Sequence, residues 1–119
     1  MSFTKIGLLI VVAVALACGQ ILFKLAAQSI KEPLTLSLHS IVQLAFNPYL
    51  LISLAVYVAA TIMWVLLLRN TPLNKAYLFV AIPLVLVPLA GTFLFKEPFS
   101  LRLLAGMAIV LFGLAVALL

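Results

Sequence analysis

The residues best suited to binding a ligand lie within an apolar run near the start of the chain. Gln20 and Lys24 stand in the segment ACGQILFKLAA, residues 17–27. Because residues four apart share one helical face, the amide and the ammonium project from the same side, and Gly19 keeps the helix thin beside them. Together they can hold a phosphate or pyrophosphate group. The alternative is that Lys24 only extends its ammonium along the helix to the membrane surface.

A second polar stripe lies on another long apolar segment. Tyr57, Thr61 and Trp64 are spaced i, i+4 and i+7 and therefore share one helical face. Such a stripe can line a cavity and stack on a sugar ring or an isoprenoid chain, whereas interior packing is the alternative. Tyr77, a few residues inside the next apolar segment, can face the same cavity. The predicted substrate-binding set is Gln20, Lys24, Tyr57, Thr61, Trp64 and Tyr77.

Few residues in this chain are able to perform catalysis. It has one histidine, His39, one cysteine, Cys18, and two acids, Glu32 and Glu97, that both precede prolines. The sequence contains no nucleophile–base pair, metal-ligand cluster or glycine-rich phosphate loop. We therefore predict no enzyme activity, no catalytic residues, no metal site and no cofactor. Glu97, next to Lys96, is interpreted as part of a surface ion pair, which contributes little, or as a cap of the last helix.

Composition places the chain in a membrane. Of its 119 residues, 68% are hydrophobic and 8% are charged, whereas soluble domains are about half apolar and about a quarter charged. The formal net charge is +5 without a basic cluster, which favours anionic lipid or an anionic substrate over nucleic acid as the partner. No acid lies inside a predicted span. That argues against proton-coupled export of cationic drugs, which generally needs a buried carboxylate.

The apolar pattern predicts an all-α fold of four transmembrane helices in one domain, residues 1–119. A span needs about 20 apolar residues, and the four predicted spans are residues 6–28, 48–68, 73–95 and 101–119. The first apolar run is longer than a signal-peptide core, so we expect a retained helix. Three Lys/Arg residues flank the spans on the N-terminal side and four on the other, which leaves the orientation open.

Local signals refine these four spans. Asn47-Pro48 is a helix start signal, and Pro83 with Pro88 predicts a kinked or irregular third span. Residues 34–46 are too short and too polar to cross a membrane. Leu34, Leu38 and Ile41 share a face there, with Thr35 and other polar residues opposite. This predicts a short helix in the membrane interface; an apolar loop is the alternative.

The last helix carries a face of small residues. Gly106, Gly113 and Ala117 align on one side of it, and small residues let helix backbones approach closely in a membrane. Four spans form a bundle too thin to enclose a large substrate path. We therefore expect a homodimer, or a heterodimer with a related small subunit, that uses this face. Packing within the monomer is the alternative.

These motifs resemble a known family. Five features are similar to the drug/metabolite transporter superfamily. They are the TPLNKAY entry into the third span, its two prolines, the KEPFS turn, the glycine spacing of the last helix, and GQILFKLA in the first helix. Within this superfamily, the chain resembles small four-helix EamA-type proteins, including flippase subunits for aminoarabinose-linked undecaprenyl phosphate. The resemblance implies a multi-pass protein of the bacterial inner membrane, with Tyr77 matching a tyrosine near the substrate.

The chain is also similar to small multidrug resistance exporters, but it departs from their signature. Those proteins carry a glutamate eight residues before a lysine in the first helix. If that lysine corresponds to Lys24, the position is Leu16 here. The leading expectation is therefore a flippase-like transporter of a polyprenyl-phosphate-linked sugar or similar anionic lipid. The alternatives are a multidrug or metabolite exporter, and a non-transporting accessory subunit of a membrane glycosyltransferase.

Overall fold

Helices make up the bulk of the computed structural model, which describes residues 3–30 and 38–119. A 3₁₀ turn, Tyr77–Val80, joins the fourth helix to the fifth, and the described residues contain no strand. The helices are α1 (Phe3–Ser29), α2 (Leu38–Ala45), α3 (Pro48–Leu68), α4 (Leu73–Ala76), α5 (Ala81–Leu94) and α6 (Leu101–Leu118).

Four helical stretches are long and apolar enough to cross a membrane. They are Phe3–Ser29, Pro48–Leu68, Leu73–Phe95 and Leu101–Leu118. The predicted all-α fold with four spans is confirmed. The second and third spans begin and end where the sequence predicts. The first is slightly longer than predicted, because its helix already begins at Phe3.

Antiparallel packing of α1 against α3 forms the centre of the bundle. The Asn47 side-chain oxygen accepts from the backbone N–H of Tyr49 at 3.0 Å and of Leu50 at 3.4 Å, which confirms the predicted helix start. The same amide donates to Ser29 Oγ at 2.6 Å and so joins the start of α3 to the end of α1. At the other end of the bundle, Lys5 Nζ donates to the backbone oxygen of Asn70 at 2.8 Å.

The third span is not a continuous α-helix. Its 3₁₀ turn separates α4 from α5 and ends shortly before Pro83. A proline has no N–H, so Pro83 cannot make the α-helical bond to the carbonyl of Phe79, which lies in that turn. Further along, Thr92 Oγ1 donates to the carbonyl oxygen of Pro88 at 3.1 Å. The predicted irregularity is confirmed, and it falls on the N-terminal side of Pro83.

Helix α2 covers part of the segment predicted to lie in the interface. Residues 34–37, including Leu34 and Thr35, lie outside the described residues. Within α2, Leu38 and Ile41 are exposed whereas Ser40 is buried. The apolar side therefore faces away from the protein, as a helix lying in a membrane interface requires. Its position in the interface remains a prediction.

Burial is uneven across the bundle. The core cluster lies between α1, α3 and the first part of the third span, and contains Leu9, Val12, Ala60, Leu67, Ala76 and Phe79. Helix α6 packs on α5 and on the 3₁₀ turn, and Met107 is its one buried residue. A Cβ added to Gly106 or to Gly113 meets nothing within 4 Å. These two glycines are therefore not used for close helix packing among the described residues.

Candidate substrate-binding groove

A groove runs along α1 and the third span, with α3 lining one end of it and the turn after α5, together with Leu103 of α6, lining the other. It consists of three adjoining cavities of about 260, 420 and 520 Å³, which we name the aromatic, central and charged cavities. Leu16 and Val80 line both the aromatic and the central cavity. Gln20, Val87 and Pro88 line both the central and the charged cavity. The shared lining residues make the three cavities neighbours along the bundle.

All six predicted site residues lie on this groove. Thr61, Trp64 and Tyr77 line the aromatic cavity. Tyr57 and Gln20 line the central cavity, and Gln20 also reaches the charged cavity beside Lys24. The groove thus joins the two stripes that the sequence placed on separate helices. Substrate binding by these residues remains a prediction.

Tyr57 is the most firmly positioned of these side chains. Gln20 Nε2 donates to its phenol oxygen at 2.5 Å, and the Phe23 ring stacks on it with centroids 5.2 Å apart. A Cβ on Gly19 would lie 2.2 Å from Tyr57 Cε2, so only glycine admits the ring here. Because the phenol oxygen accepts the bond from Gln20, its proton can still be donated to a ligand.

The aromatic cavity is less polar than its residues suggest. Thr61 Oγ1 donates to the carbonyl oxygen of Tyr57 at 2.7 Å, one turn earlier in α3. The hydroxyl proton is therefore already used within the helix, and Thr61 retains only acceptor capacity. Trp64 is partly buried against the core, whereas Tyr77 is 63% exposed. Tyr77 therefore offers most of the aromatic surface available to a ligand.

The charged cavity contains Glu97, which was not among the predicted substrate-binding residues. Glu97 lines this cavity together with Lys24. The interpretation of Glu97 as a cap is wrong, because Ser100 caps α6 and its Oγ accepts from Leu103 N–H at 3.1 Å. The position of Glu97 depends on a turn in which Lys96 adopts a φ of 53°. Left-handed backbone at a lysine is uncommon, and no feature of the sequence signals it.

Charged and metal-ligating side chains are few in the described part of the groove. Among residues 3–30 and 38–119, no group of three or more His, Cys, Asp or Glu side chains could hold a metal ion. The described lining of the charged cavity has one cationic group, Lys24, and one carboxylate, Glu97. A ligand there can be held by the Lys24 ammonium and by Gln20, and Tyr57 lies in the neighbouring central cavity.

Comparison with known proteins gives matches over about half of the chain. The chain is 42% identical over 53 residues to a probable 4-amino-4-deoxy-L-arabinose-phosphoundecaprenol flippase subunit ArnE of Hamiltonella defensa, covering 44% of this chain and 48% of that protein. It is 40% identical over 63 residues to a probable flippase subunit ArnF, of the same description, from Pseudomonas fluorescens, covering 51% and 46%. To the corresponding probable ArnE of Escherichia coli O81 it is 35% identical over 65 residues, covering 55% and 59%.

These matches confirm the resemblance to aminoarabinose–phosphoundecaprenol flippase subunits that the sequence motifs indicate. The chain spans about half the length of the curated relatives it matches. No family model matches the chain, and no solved structure matches it either.

Proposed function

We propose that this chain acts in a flippase-like transporter that moves a polyprenyl-phosphate-linked sugar, or a similar anionic lipid, between the leaflets of a bacterial inner membrane. The curated relatives are described as probable subunits of such a flippase. The observation that carries the proposal is the placement of Lys24 at one end of a groove whose other end is aromatic.

The chemistry of the groove suits such a lipid. Taking an ionised phosphate through hydrocarbon without a partner is prohibitively costly. Lys24 supplies a positive charge, and the Gln20–Tyr57 pair supplies hydrogen bonds one turn along α1. Tyr77 and Trp64 offer rings on which a sugar can stack. The prenyl chain stays in the surrounding lipid, so the groove need not close into a pore.

A second subunit fits this proposal. The relatives are described as flippase subunits, and Tyr77 on the groove is 63% exposed, so the described residues leave one side of the groove open. A homodimer, or a heterodimer with a related small subunit, would cover the open side. Alternating exposure by rocking of protomers is expected by analogy with other transporters.

Lys24 provides the direct test. We expect Lys24→Ala to slow the transfer of a labelled polyprenyl-phosphate sugar between the leaflets of liposomes about ten- to a hundredfold, because a hydrogen bond to a charged group contributes about 1.5–3 kcal/mol. Lys24→Arg separates two roles: an interfacial anchor retains the full rate, whereas a shaped phosphate site loses part of it.

Arg102→Gln is the matched control for the Lys24 variants. It removes a cation from the same end of the bundle, but Arg102 does not line the charged cavity, so the transfer rate should stay unchanged. Transfer by the wild-type chain, with its partner subunit where one is needed, must exceed that of empty vesicles. Equal rates would favour a non-transporting accessory subunit.

One observation keeps the multidrug exporter as a second candidate. The charged cavity contains the carboxylate of Glu97, which can attract a cationic drug even though it lies outside the spans. Growth in quaternary ammonium compounds, with and without the protein, separates the two functions. Resistance that is lost in Tyr77→Ala but kept in Lys24→Ala would contradict the lipid proposal.

A further inference from the structure

The Glu97 carboxylate is held over the end of α5 by its backbone. Lys96, at a φ of 53°, turns the chain back, and the N–H of Glu97 donates to the carbonyl oxygen of Gly91 at 3.2 Å. The side chain then lies against Gly91, where an added Cβ would be 3.0 Å from Glu97 Oε1 and 3.3 Å from its Cδ. The carboxylate therefore lies close to Gly91, where a larger residue would make it shift by a few tenths of an ångström.

This turn places a negative charge in the cavity that contains the proposed phosphate-binding lysine. Lys24 and Glu97 both line the charged cavity, and its other described lining residues are uncharged. Within residues 3–30 and 38–119 the two side chains form no ion pair with each other. A headgroup that enters the cavity therefore meets an attractive and a repulsive charge at the same time.

Whether attraction to Lys24 exceeds repulsion from Glu97 depends on the charge of the headgroup. A phosphodiester carries one negative charge, whereas a phosphomonoester carries nearly two above its second pKa of about 6. The first charge can be paired with Lys24. A second charge finds no other cation in the described lining and is repelled by Glu97. The repulsion increases with each charge that the headgroup adds.

We propose that Glu97 limits the negative charge of the headgroup that this cavity accepts, so that a phosphodiester-linked lipid is bound in preference to a free lipid phosphomonoester. This role rests on the proposed function, because it assumes that Lys24 binds the phosphate. It makes Glu97 a specificity-determining residue: the sugar-bearing lipid is accepted, and the same lipid without its sugar is disfavoured.

The test uses two probes that differ in charge but carry no sugar. Farnesyl methyl phosphate is a monoanionic diester, and farnesyl phosphate at pH 8 is a dianionic monoester. Their affinities are measured by titration calorimetry for the wild-type protein in nanodiscs. We expect the wild type to bind the diester more tightly, and a wild-type preference for the monoester overturns the proposal without any variant.

Three variants locate the effect. Glu97→Gln keeps the shape of the side chain and removes its charge, and should raise the affinity for the monoester about tenfold relative to the diester. Glu97→Asp keeps the charge and should retain most of the wild-type preference. Lys24→Gln should weaken binding of both probes.

The outcomes separate this proposal from the one on which it rests. If Lys24→Gln weakens both probes but Glu97→Gln leaves their affinity ratio unchanged, the charge limit is wrong and the phosphate site stands. If the wild type binds neither probe, both proposals fail.

Discussion

The α1–α3 interface is closely packed, whereas the outer helix α6 is largely exposed. At the α1–α3 interface, Ser53 Oγ donates to the carbonyl oxygen of Gly19 at 2.9 Å, and Ser53 is fully buried. The Tyr57 ring lies where a side chain on Gly19 would be. On α6, only Met107 is buried, and a Cβ added to Gly106 or Gly113 would have no atom of the described residues within 4 Å.

This difference distinguishes a surface that is packed within the chain from one that is not. The α1–α3 interface fixes Tyr57 and Gln20, and so preforms one wall of the groove before any ligand arrives. Helix α6 leaves its small-residue face without close contacts, which is the state expected of a surface that packs against another chain. The same substitution, glycine to alanine, should therefore have opposite effects in the two regions.

The largest effect is expected at Gly19. Alanine improves the helix propensity by about 0.5–1 kcal/mol, but its Cβ would lie 2.2 Å from Tyr57 Cε2. Overpacking of this kind typically costs about 1–3 kcal/mol, so the clash should prevail and Gly19→Ala should lower the free energy of unfolding. The measurement is reversible unfolding in mixed micelles.

Gly7→Ala is the matched control for Gly19→Ala. It makes the same change in the same helix at a position where a Cβ meets nothing within 4 Å, so it should be neutral or slightly stabilising. Equal unfolding free energies for the two variants would mean that Tyr57 moves aside without cost, and the α1–α3 interface would not be the rigid region proposed.

An intermediate effect is expected at Asn47. Its side chain caps α3 and also donates to Ser29 Oγ at 2.6 Å, so Asn47→Ala removes a cap and a link between helices together. Loss of a cap costs about 0.5–2 kcal/mol. Asn47→Asp keeps the cap acceptor but loses the amide donor, and the difference between the two variants in unfolding free energy measures the cap alone.

An Asn47→Asp variant as unstable as Asn47→Ala would show that the link to Ser29, and not the cap, stabilises the start of α3. In that case the α1–α3 interface would be stabilised by the hydrogen bond between the two helices rather than by the cap of α3.

The sequence predicts the fold better than it predicts the site. The spans and the start of α3 follow from apolar length and from Asn47-Pro48, because these signals act locally. Five of the six predicted site residues could be named from helical spacing and Tyr77 from its place near the start of the third span, yet their placement along one groove depends on how α3 and the third span pack against α1. The place of Glu97 in the charged cavity could not be predicted, because it depends on the backbone of Lys96 and on the space at Gly91, which helical spacing does not reveal.

The smallest effect on the chain itself is expected on α6. In the double variant Gly106→Ala/Gly113→Ala, neither added Cβ has an atom of residues 3–30 or 38–119 within 4 Å, and each alanine improves the helix propensity. The double variant should therefore unfold at equal or slightly higher free energy than the wild type.

Association should respond to this α6 variant in the opposite sense. If this face packs against a second subunit, two added methyl groups hold the backbones apart and weaken the contact. Energy transfer between labelled chains in liposomes measures that association, with Ala105→Leu as the control on a neighbouring face of α6. Unchanged association in the glycine variant would place the subunit contact on another helix, and the contrast with the α1–α3 interface would then reflect exposure to lipid alone.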